Sequence, residues 1–211
     1  MVFDKKLLGP QSIVADVGAN LGFYSLWFAG RVNQVHAFEP APEARAMLME
    51  NLAVNGTRNV SIVASACGDR QGAIDFFVAD HHHRSSFDES WAGDRATKIS
   101  IPVTSLDQYF ADLGNNWPDF IKMDIEGGGT SALPGAARCL REKRPLLLIE
   151  SHTPQEDGAI SDVLRTYDYA AYRFETKAWV QNRETTHPDP LGVWGTMFLC
   201  PSEKKHHFMH K

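Results

Sequence analysis

Short apolar runs alternate with stretches of helical period along most of this chain. Ile13 to Val17, Gln34 to Phe38, Val60 to Ala64, Ile99 to Val103, Asp119 to Met123 and Pro145 to Ile149 read as strands. Between them, Gly22 to Ala29 has helical spacing, and Pro42 opens a helix with apolar positions Ala46, Leu48, Leu52 and Val54 that Asn55-Gly56 ends. Thr104 or Ser105 caps a short helix through Tyr109 and Phe110, and further helices are expected over about Thr130 to Arg141 and Gln155 to Arg165. Strands near Tyr169 to Phe174 and Thr196 to Cys200 close the series. Such alternation predicts an α/β fold whose parallel sheet carries helices on both faces.

The regularity lapses once. Gly68 to Gly72 is dense in turn residues and Ala73 to Ala79 is β-like, which predicts a hairpin-like excursion. Residues 80–98 have no period and include His81, His82 and His83; a stretch this long reads as a flap or insertion. The chain has 211 residues and is 43% hydrophobic, enough for one core, so a single domain over 1–211 is expected. It comprises a short lead over 1–12, the flap, and an exposed, frayed tail over 203–211.

Charge and cysteine content narrow the function class. With 21 Lys+Arg against 26 Asp+Glu the net charge is −5, and the basic residues are scattered, so no nucleic-acid footprint is expected. Cys67, Cys139 and Cys200 are too far apart for a metal set and odd in number for a disulfide framework, which favours a reducing compartment. No apolar run approaches membrane-spanning length, so a soluble cytoplasmic protein acting on a small-molecule substrate is the expectation. Nothing in the chain indicates its oligomeric state.

The candidate chemistry starts at Asp16-Val17-Gly18-Ala19-Asn20-Leu21-Gly22, a glycine-bearing turn between the first strand and first helix. Gly18 and Gly22 let the backbone turn sharply. Glu39 lies 21 residues after Gly18, at the tip of the second strand, where a carboxylate can take both hydroxyls of a ribose. A dinucleotide fingerprint would place a second glycine where Asn20 stands, and Asp16 would repel a pyrophosphate. An acid there suits the cationic methionine end of S-adenosylmethionine instead. Tyr24 is the aromatic assigned to that end, with Trp27 and Phe28 assigned to the core, and Ser65 is the candidate for the adenine edge.

Asp124, Glu126, Glu150 and His152 fall at or just past other strand ends, the address at which open α/β sheets bind ligands. These residues, with Asp16 to Ser25, Ala37-Phe-Glu-Pro-Ala-Pro, Asn55-Gly, Ser85-Ser86-Phe87, Thr104-Ser-Leu-Asp107, Ile121-Lys-Met-Asp-Ile-Glu-Gly127 and Leu148-Ile-Glu-Ser-His152, resemble the FkbM family of methyltransferases over about residues 13 to 152. The resemblance implies a class I methyltransferase fold: a Rossmann-like three-layer sandwich around a mostly parallel seven-stranded sheet with one antiparallel strand. It also implies S-adenosylmethionine as cofactor and O-methylation of a small molecule or sugar.

Asp16, Gly18, Asn20, Gly22, Tyr24, Glu39, Ser65 and Asp124 are then the cofactor-binding set. Removing a hydroxyl proton calls for a base, for which His152 is the first candidate because an ordinary imidazole titrates near neutrality. Asp124 is the second, with Glu126 beside it. The same acids and His152 could hold Mg²⁺ or Mn²⁺, but no metal is assigned. Two departures from the family stand out. Gly129 occupies a position where members usually carry a second acid, leaving that role vacant. The first strand also starts near residue 13, which leaves little room for a covering N-terminal segment, as in a short or truncated member. A nicotinamide-dependent oxidoreductase and a catalytically degenerate scaffold are the competing functions.

Overall fold

The computed structural model describes residues 7–78, 97–184 and 195–208. In chain order these form β1 (Ile13–Val17), α1 (Phe23–Ala29), β2 (Gln34–Phe38), α2 (Pro42–Val54), β3 (Val60–Val63), β4 (Ala66–Cys67), β5 (Gly72–Val78) and β6 (Thr97–Thr104). There follow α3 (Leu106–Asp112), β7 (Phe120–Met123), α4 (Gly129–Ala132), a 3₁₀ turn at Pro134–Ala136, α5 (Ala137–Glu142), β8 (Leu146–Ser151) and α6 (Pro154–Thr166). The chain closes with β9 (Tyr169–Arg173), β10 (Ala178–Trp179), β11 (Gly195–Pro201) and a 3₁₀ stretch over Ser202–Phe208.

The main sheet has the order β10-β9-β11-β8-β7-β1-β2-β3. β1 lies between β7 and β2, parallel to both, and is buried at every position. Successive residues of its strand point to opposite faces, so two cores form. Ile13, Ala15 and Val17 join Ile121, Met123, Leu147 and Ile149 on the face covered by α3, α5 and α6. Val14 joins Phe120, Leu148 and Phe28 of α1 on the other.

Seven strands with one antiparallel member were expected; the sheet has eight, and two run antiparallel. β11 enters between β8 and β9 against both, and β10 folds back on β9. The eighth strand escapes the sequence because it is two residues long. Trp179 packs edge-on against Tyr172 at 5.6 Å between ring centres, covering an edge that β9 would otherwise expose.

The helix expected over Thr130 to Arg141 is three pieces. Pro134 has no N–H to donate and its ring crowds the preceding turn, so the helix cannot run through it. Asp107 restarts it by accepting from the N–H groups of Arg138 (2.7 Å) and Cys139 (2.8 Å) at the head of α5. The excursion forms in part: β4 and β5, on either side of the Gly68 to Gly72 turn, do not pair with each other, and both instead pair with β6, β4 parallel and β5 antiparallel, in a second sheet of three strands. Most of the expected flap, over 79–96, lies outside the described residues, while its last residues belong to β6. The tail departs from the frayed end expected. Ser202–Phe208 is 3₁₀-helical, and Phe208 packs on Phe198 at 5.0 Å.

Candidate active site

The turn after β1 is held by β2. The N–H groups of Gly18 and Ala19 both donate to the Phe38 carbonyl, at 3.0 Å each. Gly18 (φ 79°) and Asn20 (φ 49°) take left-handed backbone, which glycine and asparagine adopt most readily. Glu39, at the tip of β2 and 6% exposed, closes the turn from beneath. Its Oε2 accepts from the Asn20 N–H at 2.7 Å and its Oε1 from the Ala41 N–H at 2.9 Å. Burial raises its pKa, and those two N–H groups with Lys122 and Arg45 oppose the rise. Each oxygen keeps a lone pair for a further donor, so the clamped carboxylate remains able to receive ribose hydroxyls.

Asp16 sits deeper than the sequence implies. It is fully buried on the α1 face of β1, where its Oδ2 accepts from Ser25 Oγ at 2.6 Å. Its partner across the parallel pairing is Lys122 of β7. Lys122 Nζ lies 3.6 Å from Asp16 Oδ1 and 3.7 Å from Asp124 Oδ2, and donates to the Gly18 carbonyl at 2.8 Å. The charge assigned to Asp16 therefore meets a lysine first, and the acid that stands open beside the turn is Asp124, 31% exposed. Among the described residues Asp16 Oδ1 accepts no hydrogen bond and meets Lys122 as an ion pair. Tyr24 packs on Phe28 with Lys122 Nζ 5.2 Å from its ring centre; Phe28 is fully buried and Trp27 packs against the same core. Ser65, half-buried, lies in the bend between β3 and β4.

One strand further, the ends of β7 and β8 and the first turn of α6 bring four acids around one imidazole. His152 Nε2 is 3.6 Å from Asp124 Oδ1, 3.7 Å from Glu126 Oε2 and 3.6 Å from Glu150 Oε1, and its Nδ1 is 3.8 Å from Glu156 Oε2. Burial alone would push the imidazole down. The adjoining carboxylates of Glu150 and Glu156 and the charges of Glu126 and Asp124 outweigh it and raise His152 to about 10. The raise favours the protonated ring, and an imidazolium has no lone pair to accept a proton, which weighs against His152 as the base. Burial raises Asp124 and Glu126, with Glu150 adding to both, while the neighbouring imidazole lowers Glu150. Asp124, Glu150 and His152 each bring one ligand atom within 4.8 Å of the others, a spacing that would also suit a divalent cation.

The turn, Glu39 and the acid cluster thus share the carboxyl edge of the sheet, as a cofactor site beside a reaction site requires. A family profile described as the methyltransferase FkbM domain matches residues 16–174, which takes in all of these groups. The chain belongs to the FkbM methyltransferase family. It is 25% identical over 167 residues to the methyltransferase sdnD of Sordaria araneosa, spanning 63% of each protein. It is 23% identical over 208 residues to the antimetabolite synthetase AmbE of Pseudomonas aeruginosa, of which it spans only 10%. Among solved structures, the FkbM methyltransferase of Methylobacillus flagellatus superposes with a TM-score of 0.58 at 21% identity, covering 92% of this chain and 44% of that one. A Streptococcus mutans methyltransferase in complex with SAH gives 0.56 at 10% identity, covering 93% and 92%. These likenesses support a class I methyltransferase fold.

Two residues of this candidate site, Lys122 and Glu156, are not singled out by the sequence reading. Lys122 is the lone charge inside the buried strand Phe120–Met123, and a lysine there needs partners as costly to bury as its own charge, here Asp16 and Asp124. Glu156 follows Thr153 at capping-box spacing, and its buried carboxylate lies against Gly129, where the missing acid left a role open. For the cofactor half, we expect Glu39→Ala to weaken S-adenosylhomocysteine binding by roughly 10- to 100-fold, since charge-assisted hydrogen bonds contribute about 1.5–3 kcal/mol. Calorimetric titration checks this, and unchanged affinity would remove Glu39 from the site.

Proposed function

We propose that this FkbM domain is an O-methyltransferase that modifies a hydroxyl of a small molecule or sugar. S-adenosylmethionine is its cofactor and supplies, when bound, an electrophilic methyl group on a sulfonium. The observation that carries the proposal is the continuity of the two half-sites. Lys122 links Asp16 and the Gly18 carbonyl beneath the cofactor turn to Asp124 at the edge of the acid cluster.

In this proposal Glu39, held by the Asn20 N–H, takes the ribose side, and Asp124 and Tyr24 line the side that takes the methionine end, with Asp16 buried behind them against Lys122. Asp124 accepts the proton of the acceptor hydroxyl. Burial brings its carboxyl closer to neutrality, which makes it a better base than an exposed aspartate. The His152 cation keeps Asp124, Glu126 and Glu150 together and offsets their repulsion. Glu126 Oε2 is buried 3.7 Å from His152 Nε2 and accepts no hydrogen bond among the described residues. The concentration of carboxylates would repel a phosphodiester, and the chain as a whole carries a net charge of −5, so a neutral acceptor fits better than nucleic acid. No described helix is long and apolar enough to cross a membrane.

The proposal is tested by titrating the protein with S-adenosylhomocysteine, NAD and NADP, then assaying transfer of labelled methyl to a panel of hydroxyl acceptors. Binding of a nicotinamide dinucleotide alone would sink it. Tight cofactor binding without transfer to any acceptor would favour a scaffold instead. Two further results follow. Transfer should persist in excess chelator, because the His152 cation already balances the acids; loss of activity restored by Mg²⁺ would show the opposite. The rate should fall on the acid side with a midpoint above the ordinary carboxylate range, as Asp124 is protonated, and hold until about pH 10, where His152 loses its proton. A single ascending limb centred near 6.5 would instead return the base role to His152.

A further inference from the structure

Glu156 is the third residue of α6, and its carboxylate is 2% exposed at the junction of two site loops. Thr153 caps the helix by accepting from the Glu156 N–H at 3.2 Å. In a capping box the glutamate returns the favour to the N–H of the cap residue itself. Here it reaches past the cap. Oε2 accepts from the His152 N–H at 2.8 Å, and Oε1 accepts from the Gly129 N–H at 2.9 Å. One donor, His152, directly follows β8, whose end carries Glu150. The other closes the loop after β7, which carries Asp124 and Glu126. A Cβ on residue 129 would stand 2.8 Å from Oε1 and 3.4 Å from both Cδ and Cγ of Glu156, so glycine at 129 is what lets the carboxylate lie against that loop.

We propose that Glu156 is a positioning residue for methyl transfer, tying the two loops together and fixing the Nδ1 side of the His152 ring so that Nε2 faces Asp124, Glu126 and Glu150. The role rests on reading this cluster as the reaction site, and Glu156 acts there through His152. The groups that face the imidazole are Asp124, Glu126 and Glu150 on the Nε2 side and Glu156 on the Nδ1 side, with Lys122 beyond Asp124. A bond shared between backbone donors on two loops locks their relative position, and a charge at the ring keeps the imidazolium in place. Helix capping by itself would require neither contact.

The test is Glu156→Gln in the full chain, with the His152 ring Cε1–H signal followed by NMR against pH. Glutamine keeps the volume and one acceptor, whereas Glu156→Ala would open a void as well. The midpoint, about 10 in the parent protein, should fall by about 1 unit on loss of one adjacent opposite charge. The Gly129 and His152 amide protons should exchange faster at the same time. An unmoved midpoint, even with a lower melting temperature, overturns the proposal, and so does loss of the fold, since either leaves Glu156 only a structural cap. S-adenosylhomocysteine titration of the parent protein is run alongside. Absence of binding there defeats the methyltransferase reading, while the His152 titration still decides whether Glu156 couples the two loops.

Discussion

Gly18→Ala will cost the protein its cofactor site and a large part of its stability. A Cβ at this position would sit 1.9 Å from the Asp124 carbonyl oxygen and 2.9 Å from a methyl of Ile125, with φ at +79°. The clash is with backbone of the next strand's end, so no side-chain rotation relieves it. Left-handed strain costs about 1–3 kcal/mol and forced overpacking about 1–3 kcal/mol, together about 2–6 kcal/mol. At about 2–4 °C per kcal/mol for a chain of this size, melting should fall by roughly 5–20 °C. Any relief must move the β1 turn away from Asp124, which also carries the Asn20 N–H off Glu39. S-adenosylhomocysteine binding should therefore vanish from calorimetry even where the variant stays folded. Gly30→Ala is the control, because a Cβ there meets nothing within 4 Å. Normal affinity in Gly18→Ala would show that the turn is not the cofactor seat.

His152→Ala should have the second largest effect, on both stability and rate. Removing a buried cation from among four carboxylates leaves their repulsion uncompensated, a loss of about 3–5 kcal/mol near neutral pH. The pH dependence follows from the raised folded-state value. The imidazole's contribution is fully present below its unfolded value of 6.5 and is lost as pH rises to about 10. Urea unfolding of the parent protein should show that alkaline decline and the variant should lack it, while methyl transfer falls by roughly 10²- to 10⁴-fold with loss of an ordered acid cluster. Equal pH dependence in both proteins would mean that another group balances the acids.

How far the sequence reached can be seen element by element. β1 and β2 fall at the expected residues because each is an apolar run bounded by turn signals, and Ser105 caps α3 as its residue type implies. The helix after Gly129 breaks because Pro134 outweighs the helical spacing around it. β10 was missed because two residues carry no period. At the candidate site, the position of Glu39 at the tip of β2 beside the glycine turn was legible from its distance to Gly18. The burial of Asp16 under Lys122 was not, since a cross-strand partner depends on register, here Asp16 opposite Lys122.

His152 shows the same division most sharply. As a residue type it reads as a base near neutrality, and the fold makes it an imidazolium by setting acids from the ends of β7 and β8 and from α6 around it. What the sequence determined by itself was local: apolar periods that set strands and helices, and a glycine turn with an acid at a fixed spacing beyond it. Only the tertiary structure decided which charges meet. Coulomb energies and desolvation depend on distances of a few ångströms between groups far apart in the chain, and packing alone supplies those distances.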